Sequence, residues 1–492
     1  VEATSDAHGD QQRISVPSVC GLQETIALNF LFINTDQQRQ DTLGCYGSTV
    51  AKTPNLDRLA AEGVRFDRAY TTNPVCMPAR ASWFTGQYPS YHGCWQNGVP
   101  LSPNADMIQN HLKAAGYHTA LIGKVHLDNV WERNEKHPSY GFDLLLECEG
   151  DPYCKDDYFQ WLDQQGLYDG YMAQFKEMGH RQGYTRDLPE AKHMNTWITD
   201  HVDHYLNARA KDRQPFFLSV GFFDPHHPFD PCEPYASMFE PRDMPMPSFR
   251  EDEVSGMTPP MQQKREREWP FCSSPVDIRG TIAAYHATIA HVDAAVGQIF
   301  GTLEACGLAD DTVVIFMSDH GELLGDHGML HKGAVFYECS IKVPLLFRFP
   351  KRIGLNGLSD NGFTSHVDLA PTIAELAGIN GPLMAQGSPL FGREGDLRPI
   401  PARDAALVEW REKPFQSDEP FQVVRCLVTD DMKIVQYEGC DWGELYDLNS
   451  DPSEFKNLWH DSARQGEVNR LRQRLWRFSV ENEPCPPRTN IF

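Results

Sequence analysis

A series of short apolar runs constrains this chain more than any other feature: ALNFLFINT (27–35), YHTALIGKVHL (117–127), PFFLSVGFF (215–223), TVVIFMSDHGE (312–322) and IKVPLLFRF (341–349). They are of strand length, lack the alternation of a half-solvated sheet, and in the first four cases run straight into polar or charged residues, as buried strands of a parallel sheet do. Between them lie helical patterns. In TPNLDRLAAEG (53–63) Thr53 serves as cap, Pro54 suits the first turn and Gly63 ends the helix in a left-handed conformation; further helices are predicted over Asp106–Ala115, Asn195–Ala210 and Val276–Cys306. The alternation predicts an α/β fold, a large mixed but mostly parallel sheet sandwiched by helices, with functional groups at the carboxyl ends of the strands.

Beyond Gly381 the pattern changes to Gly-, Pro- and Arg-containing loops, then to ALVEW, FQVVRCLVTD, DMKIVQYEG and ELYDL, read as antiparallel strands, and a helix over Ser462–Asn482. This predicts a catalytic domain over 1–390 and a smaller α+β subdomain over 391–492. Two long stretches, Asn129–Asp187 and Asp230–Pro275, read as irregular insertions that shape a pocket or pad the surface.

Charge narrows the function. The 44 Lys and Arg against 68 Asp and Glu leave a formal charge of −24, the wrong sign for a nucleic-acid binder, and no segment approaches the roughly 18 consecutive apolar residues of a membrane-spanning helix. The 13 cysteines form no C-x-x-C pair and do not point to a redox compartment. Val1–Gly21 carries no signal pattern. The expected location is periplasmic or extracellular if a signal peptide was removed, and cytoplasmic otherwise.

Several motifs carry candidate chemistry. NPVCMPARASWFTG sets Cys76, Pro78 and Arg80 at a helix start, where free N–H groups face an anion. SDHGELLGDHGMLHK concentrates Asp319, His320, Glu322, Asp326, His327, His331 and Lys332 at a strand end, a carboxylate and imidazole mix suited to calcium, magnesium or manganese. GKVHL offers Lys124 and His126, GFFDPHHPFDP offers His226 and His227, and Asp36 stands at the end of the first strand. Each alone also fits a structural cysteine, a solvated loop or a core histidine.

Together and in chain order, Asp36, C-x-P-x-R, GKVHL, PHHPF and SDHGELLGDHGMLHK closely resemble the type I sulfatases of the alkaline phosphatase superfamily, as do TPNLDRLAAEGVRF, HVDAAVGQIF, HVDLAPTIAELAG and ELYDLNSDPSEFKNL. The resemblance implies that a maturation enzyme oxidises Cys76 to formylglycine, whose hydrated aldehyde attacks sulfur and is later regenerated. The family often has Ser where this chain has Ala79. The implied metal ligands are Asp36, Gln37, residue 76, Asp319 and His320, around a divalent ion, calcium first and magnesium or manganese otherwise. Many members carry Asp at the position of Gln37 and Asn at that of His320. Arg80 and His126 would hold the diol, Lys124 and Lys332 the sulfuryl oxygens, and His226 would protonate the leaving alkoxide. His92 and His227 are candidate contacts to a substrate, expected to be a sulfated carbohydrate, and Trp131, Tyr153 and Trp161 could stack on a sugar. Relatives that hydrolyse phosphonate monoesters or phosphodiesters share the D-Q start and D-H pair, and an unmatured protein that only binds sulfated glycans is a third reading.

Overall fold

The computed structural model describes residues 27–128, 138–154, 156–179, 181–392, 403–412 and 422–482. The apolar runs form β1 (Asn29–Thr35), β3 (His118–Gly123), β5 (Phe216–Gly221), β6 (Thr312–Ser318) and β7 (Leu345–Arg348); β2 (Val64–Tyr70), β4 (Leu144–Glu147) and β8 (Leu358–Ser365) complete an eight-stranded sheet. Its order is β4-β3-β5-β1-β6-β7-β2-β8, and β7 alone runs against its neighbours. The carboxyl ends of β1, β2, β3, β5 and β6 therefore share one edge.

Adjacent residues on these strands feed opposite cores, because side chains alternate across a sheet. Leu31, Ile33, Leu218 and Val314 pack under the helices Pro54–Ala61, Met194–Asp212 and Pro275–Ala305. Phe30, Phe32, Phe217 and Ile315 pack under Cys76–Thr85, Ile108–Ala114 and Leu369–Ala377. Burial on both faces explains why the runs show no alternation in sequence.

A second sheet, β12-β11-β10-β9, is antiparallel and consists of β9 (Ala405–Glu412), β10 (Gln422–Thr429), β11 (Met432–Tyr437) and β12 (Gly443–Asp447). The helix Gln465–Glu481 closes one face through Val468, Leu471 and Leu475. The other face packs on Tyr70, Val75, Phe336 and Ile341, so this sheet braces the segment leading into Cys76. Asn73 Nδ2 donates to the Glu409 carbonyl at 2.7 Å, and the Glu409 N–H donates to the Thr72 carbonyl at 2.8 Å.

Local expectations need correction in three places. Thr53 does not cap its helix; its hydroxyl accepts from the Gly44 N–H and turns toward Asp57. Gly63 has no left-handed backbone either. It is required because β7 passes so closely that a Cβ would sit 1.9 Å from the Phe347 carbonyl oxygen. The stretches read as irregular contain β4 and the helices Asp157–Gln164, Tyr168–Met178 and Pro259–Cys272, the first of them capped by Asp156 through the Phe159 N–H. Among the described residues no helix is long and apolar enough to cross a membrane.

Candidate active site

The shared strand edge gathers most of the motif residues. Asp36 leaves β1, Lys124 leaves β3, the loop after β5 carries His226 and His227, and Asp319 and His320 leave β6. The helix Cys76–Thr85 is buried along its whole length and presents Cys76 at its first residue and Arg80 one turn later, on the same side. Lys124 reaches inward because β3 and β5 end in glycines. A Cβ on Gly221 would lie 2.3 Å from the Lys124 carbonyl oxygen, and Gly123 adopts φ +107°.

Charge pairing in this buried site is dense. Asp36 receives Lys124 Nζ at 2.7 Å, Arg80 Nη2 at 3.3 Å and Lys332 Nζ at 3.5 Å, while Arg80 Nε donates to Asp319 at 2.9 Å. Burial alone would raise the Asp36 carboxyl, but Lys124 foremost, then Lys332, His226 and Arg80, hold it well below the usual carboxylate range. Lys332 Nζ also lies 2.9 Å from Cys76 Sγ. Burial first, with Asp36 second, pushes the Cys76 thiol up to about 11 despite both lysines. Three fixed cations against two carboxylates leave a positive surplus, which suits an anionic substrate although the chain as a whole is acidic.

Asp36, Cys76, Asp319 and His320 place one donor atom each within 4.8 Å of one another, and all are buried. His320 Nδ1 faces the Gly321 carbonyl at 2.8 Å and donates to it, so the Nε2 lone pair points into the group, 3.3 Å from Sγ. Burial lowers its pKa and keeps the ring neutral. These donors fit a divalent cation. Gln37 stands differently from the expectation: its amide nitrogen donates to Glu322 and its amide oxygen faces His227 Nδ1 at 3.3 Å.

A cavity of about 500 Å³ adjoins the group through Lys124, the partner of Asp36, and is lined also by His126, His226, His227, Glu149, Asp151, Phe175 and Phe223. His126, with φ +45°, has a buried Nδ1 without a partner among the described residues, and burial, then Lys124, drives its pKa far down. His226 Nδ1 contacts the His227 carbonyl at 2.6 Å and its Nε2 lies 3.9 Å from Asp36.

His92 is not part of this cavity's described lining. It is tucked behind the Cys76 helix, with Nε2 3.1 Å from Ser82 Oγ and Nδ1 accepting from the Cys94 N–H, and burial pushes its pKa down to about 3. Trp161 packs on Tyr158 under Lys192, Tyr153 is exposed beside Phe175, and Trp131 lies outside the described residues. Sequence reading missed Glu149, whose Oε1 accepts the Val125 and His126 N–H groups at 3.0 Å each and so shapes the GKVHL turn. No spacing signal marks it.

A second convergence, His193, Cys232 and His291, is also buried. His193 Nδ1 accepts the Asn195 N–H as a helix cap, which leaves the proton of the neutral ring on Nε2 and no lone pair there for an ion.

Comparison with known proteins agrees with this geometry. The Sulfatase family model matches residues 28–379, and a model described as N-sulphoglucosamine sulphohydrolase, C-terminal, matches 325–481. An uncharacterized sulfatase, YidJ, of Escherichia coli is 33% identical over 449 residues, covering 88% of this chain and 83% of the relative. An N-acetylglucosamine-6-O-sulfatase of Bacteroides thetaiotaomicron is 27% identical over 538 residues, covering 96% and 90%. The crystal structure of the phosphonate monoester hydrolase of Agrobacterium radiobacter superposes with a TM-score of 0.78 at 27% identity, covering 92% of this chain and 96% of that one. The chain belongs to the sulfatase family, within the alkaline phosphatase superfamily, and is a hydrolase of the sulfatase class.

Proposed function

We propose that the protein hydrolyses the sulfate ester of a carbohydrate, releasing inorganic sulfate, with residue 76 matured to formylglycine by a separate maturation enzyme. The observation that carries this reading is the convergence of Arg80, Lys124 and Lys332 on Cys76 and two buried carboxylates, beside a cavity that Lys124 lines. The N-acetylglucosamine-6-O-sulfatase that matches 96% of the chain supports a sugar as the alcohol. Matured and hydrated, residue 76 supplies a geminal-diol nucleophile, and a divalent ion held by Asp36, Asp319, His320 and residue 76 supplies Lewis acidity. Arg80 and His126 orient residue 76, and Lys124 and Lys332 take the sulfuryl oxygens through their Nζ groups.

His226 gives the proton to the leaving alkoxide from Nε2. Its Nδ1 proton is committed to the His227 carbonyl, and before substrate binds burial, then His227 and Lys332, keep the ring neutral. A bound sulfate brings the negative charge that favours a proton on Nε2. His226→Ala should therefore lose on the order of 10²–10⁴ in kcat/KM for a sugar sulfate and less than about tenfold for 4-nitrophenyl sulfate, whose leaving group needs no proton. Equal losses for both would reject His226 as the acid.

Phosphonate monoester hydrolysis is the second reading, favoured by the structural neighbour with TM-score 0.78. The deciding experiment compares kcat/KM for an aryl sulfate and the matching aryl phosphonate monoester, on protein whose residue 76 is confirmed as formylglycine by mass spectrometry. A preference for sulfate is expected. A preference for phosphonate would move the function to phosphorus esters and end the glycan reading. An unmodified Cys76 in native protein, with no turnover of either ester, would instead indicate a binding protein.

A further inference from the structure

Gln37 and Glu322 form a hydrogen-bonded chain that ends on a cavity-lining histidine. Glu322 is fully buried, and its Oε1 accepts the N–H groups of Leu324 and His331. Its Oε2 accepts from the Gln37 amide nitrogen. A carboxylate only accepts, so it selects the –NH₂ side of the amide and leaves the Gln37 oxygen for the next contact. That oxygen also only accepts. The group facing it at 3.3 Å, His227 Nδ1, must therefore carry the ring proton. The main chain of Gln37 is equally fixed, its N–H donating to Asp319 at 2.9 Å and its carbonyl accepting from the Tyr285 hydroxyl at 2.6 Å.

We propose that Glu322, acting through Gln37, is a positioning residue that sets the tautomer of His227, so that His227 Nε2 accepts a hydrogen bond from a hydroxyl on the substrate's leaving group.

His227 lines the cavity beside His226, stacked on it at 4.0 Å, and His331 flanks it at 4.3 Å. Its Nε2 has no hydrogen-bond partner among the described residues and is not sealed from the cavity. With the Nδ1 proton directed at the Gln37 oxygen, Nε2 of the neutral ring is an acceptor. An acceptor at this place rewards a hydroxyl near the ester, as a sugar has and a simple phenol lacks. The chain also accounts for glutamine at position 37: an aspartate is an acceptor like Glu322 and could not bridge it to a histidine by donating. This inference rests on the sulfated-carbohydrate reading only for the identity of the hydroxyl donor; the tautomer does not depend on it.

Glu322→Gln tests it. The introduced amide must keep its oxygen on the Leu324 and His331 N–H groups, which turns its nitrogen toward Gln37. Gln37 then reverses its own amide and presents a donor to His227 Nδ1, and the proton moves to Nε2. Imidazole ¹⁵N spectra of metal-loaded protein, with a diamagnetic ion and with the His227 signals assigned by His227→Gln, should show Nδ1–H in the natural protein and Nε2–H in Glu322→Gln. An unchanged tautomer in folded Glu322→Gln, or Nε2–H already present in the natural protein, overturns the proposal. Kinetically, the ratio of kcat/KM for N-acetylglucosamine 6-sulfate to that for 4-nitrophenyl sulfate should fall about tenfold, the value of one hydrogen bond, mostly through KM. A switched tautomer with an unchanged ratio would reject the hydroxyl contact. If the natural protein turns over neither sulfate, the functional reading fails while the ¹⁵N result still stands.

Discussion

Cys76→Ala should reduce sulfate ester turnover by roughly 10⁵–10⁶-fold, the scale on which loss of a covalent nucleophile is felt, while leaving the fold in place. The structure explains both halves. Sγ contacts Lys332, Asp36 and His320, and the strands around it are held by other residues. Alanine is the best helix former, so the first turn of Cys76–Thr85 survives, and Arg80 keeps its hold on Asp36 and Asp319. The melting temperature should move by no more than about 1 °C, the equivalent of ~1 kcal/mol in a chain of this size. In unmatured protein the buried thiol is a poor substitute nucleophile, since burial first and Asp36 second push its pKa up to about 11. Initial rates and a thermal melt on the same preparation test this. Turnover retained in pure Cys76→Ala would show that another group attacks the ester.

Most of the fold was legible because burial on both faces of the main sheet writes itself as uninterrupted apolar runs, and the strand ends β1, β3, β5 and β6 fall where those runs stop. The helix Pro259–Cys272 escaped because it buries only Met261, Arg265 and Cys272, too little to leave a helical period in so charged a segment. Gly63 was assigned the wrong reason: helix ends and close strand crossings both demand glycine, and only the position of Phe347 distinguishes them. At the site, ordered motifs named Asp36, Cys76, Arg80, Lys124, His126, His226, Asp319, His320 and Lys332, which the structure gathers near one strand edge; all but Lys332 closely follow a strand or stand in the first turns of the Cys76 helix. Gln37 and His92 were placed by adjacency to such residues, and adjacency along the chain does not fix where a side chain points. Gln37 turns to Glu322 and His227, and His92 turns to Ser82. Glu149 left no trace in sequence, and Glu322, although it stands in the SDHGELLGDHGMLHK motif, was not marked for its contact to Gln37, because a single glutamate carries its meaning only through the groups it accepts from.

Removing divalent metal should abolish turnover and lower the melting temperature together, and readdition should restore both. The fold will survive the removal. Without an ion, Asp36 is still paired with Lys124, Arg80 and Lys332, and Asp319 with Arg80, so no buried carboxylate is left uncompensated. The stability lost is therefore the binding energy of the ion, about 2.7 kcal/mol at a hundredfold excess over Kd, or roughly 3 °C in a chain of this size. Which ion restores activity follows from the donors. Calcium favours six to eight oxygens. With the Gln37 oxygen turned to His227 and an imidazole at His320, the described group offers two carboxylates and one nitrogen besides residue 76. Manganese tolerates that mixture better than calcium, so it should restore activity at the lower concentration. Asp36→Asn should remove the metal-dependent rise in melting temperature, because a neutral amide replaces the carboxylate that three cations and the ion share. If stripped protein, verified free of metal by elemental analysis, kept both its turnover and its melting temperature, Asp36, Asp319 and His320 would have to be read as an ion-pair network that orients residue 76, with Arg80, Lys124 and Lys332 as its only sources of positive charge for the sulfate.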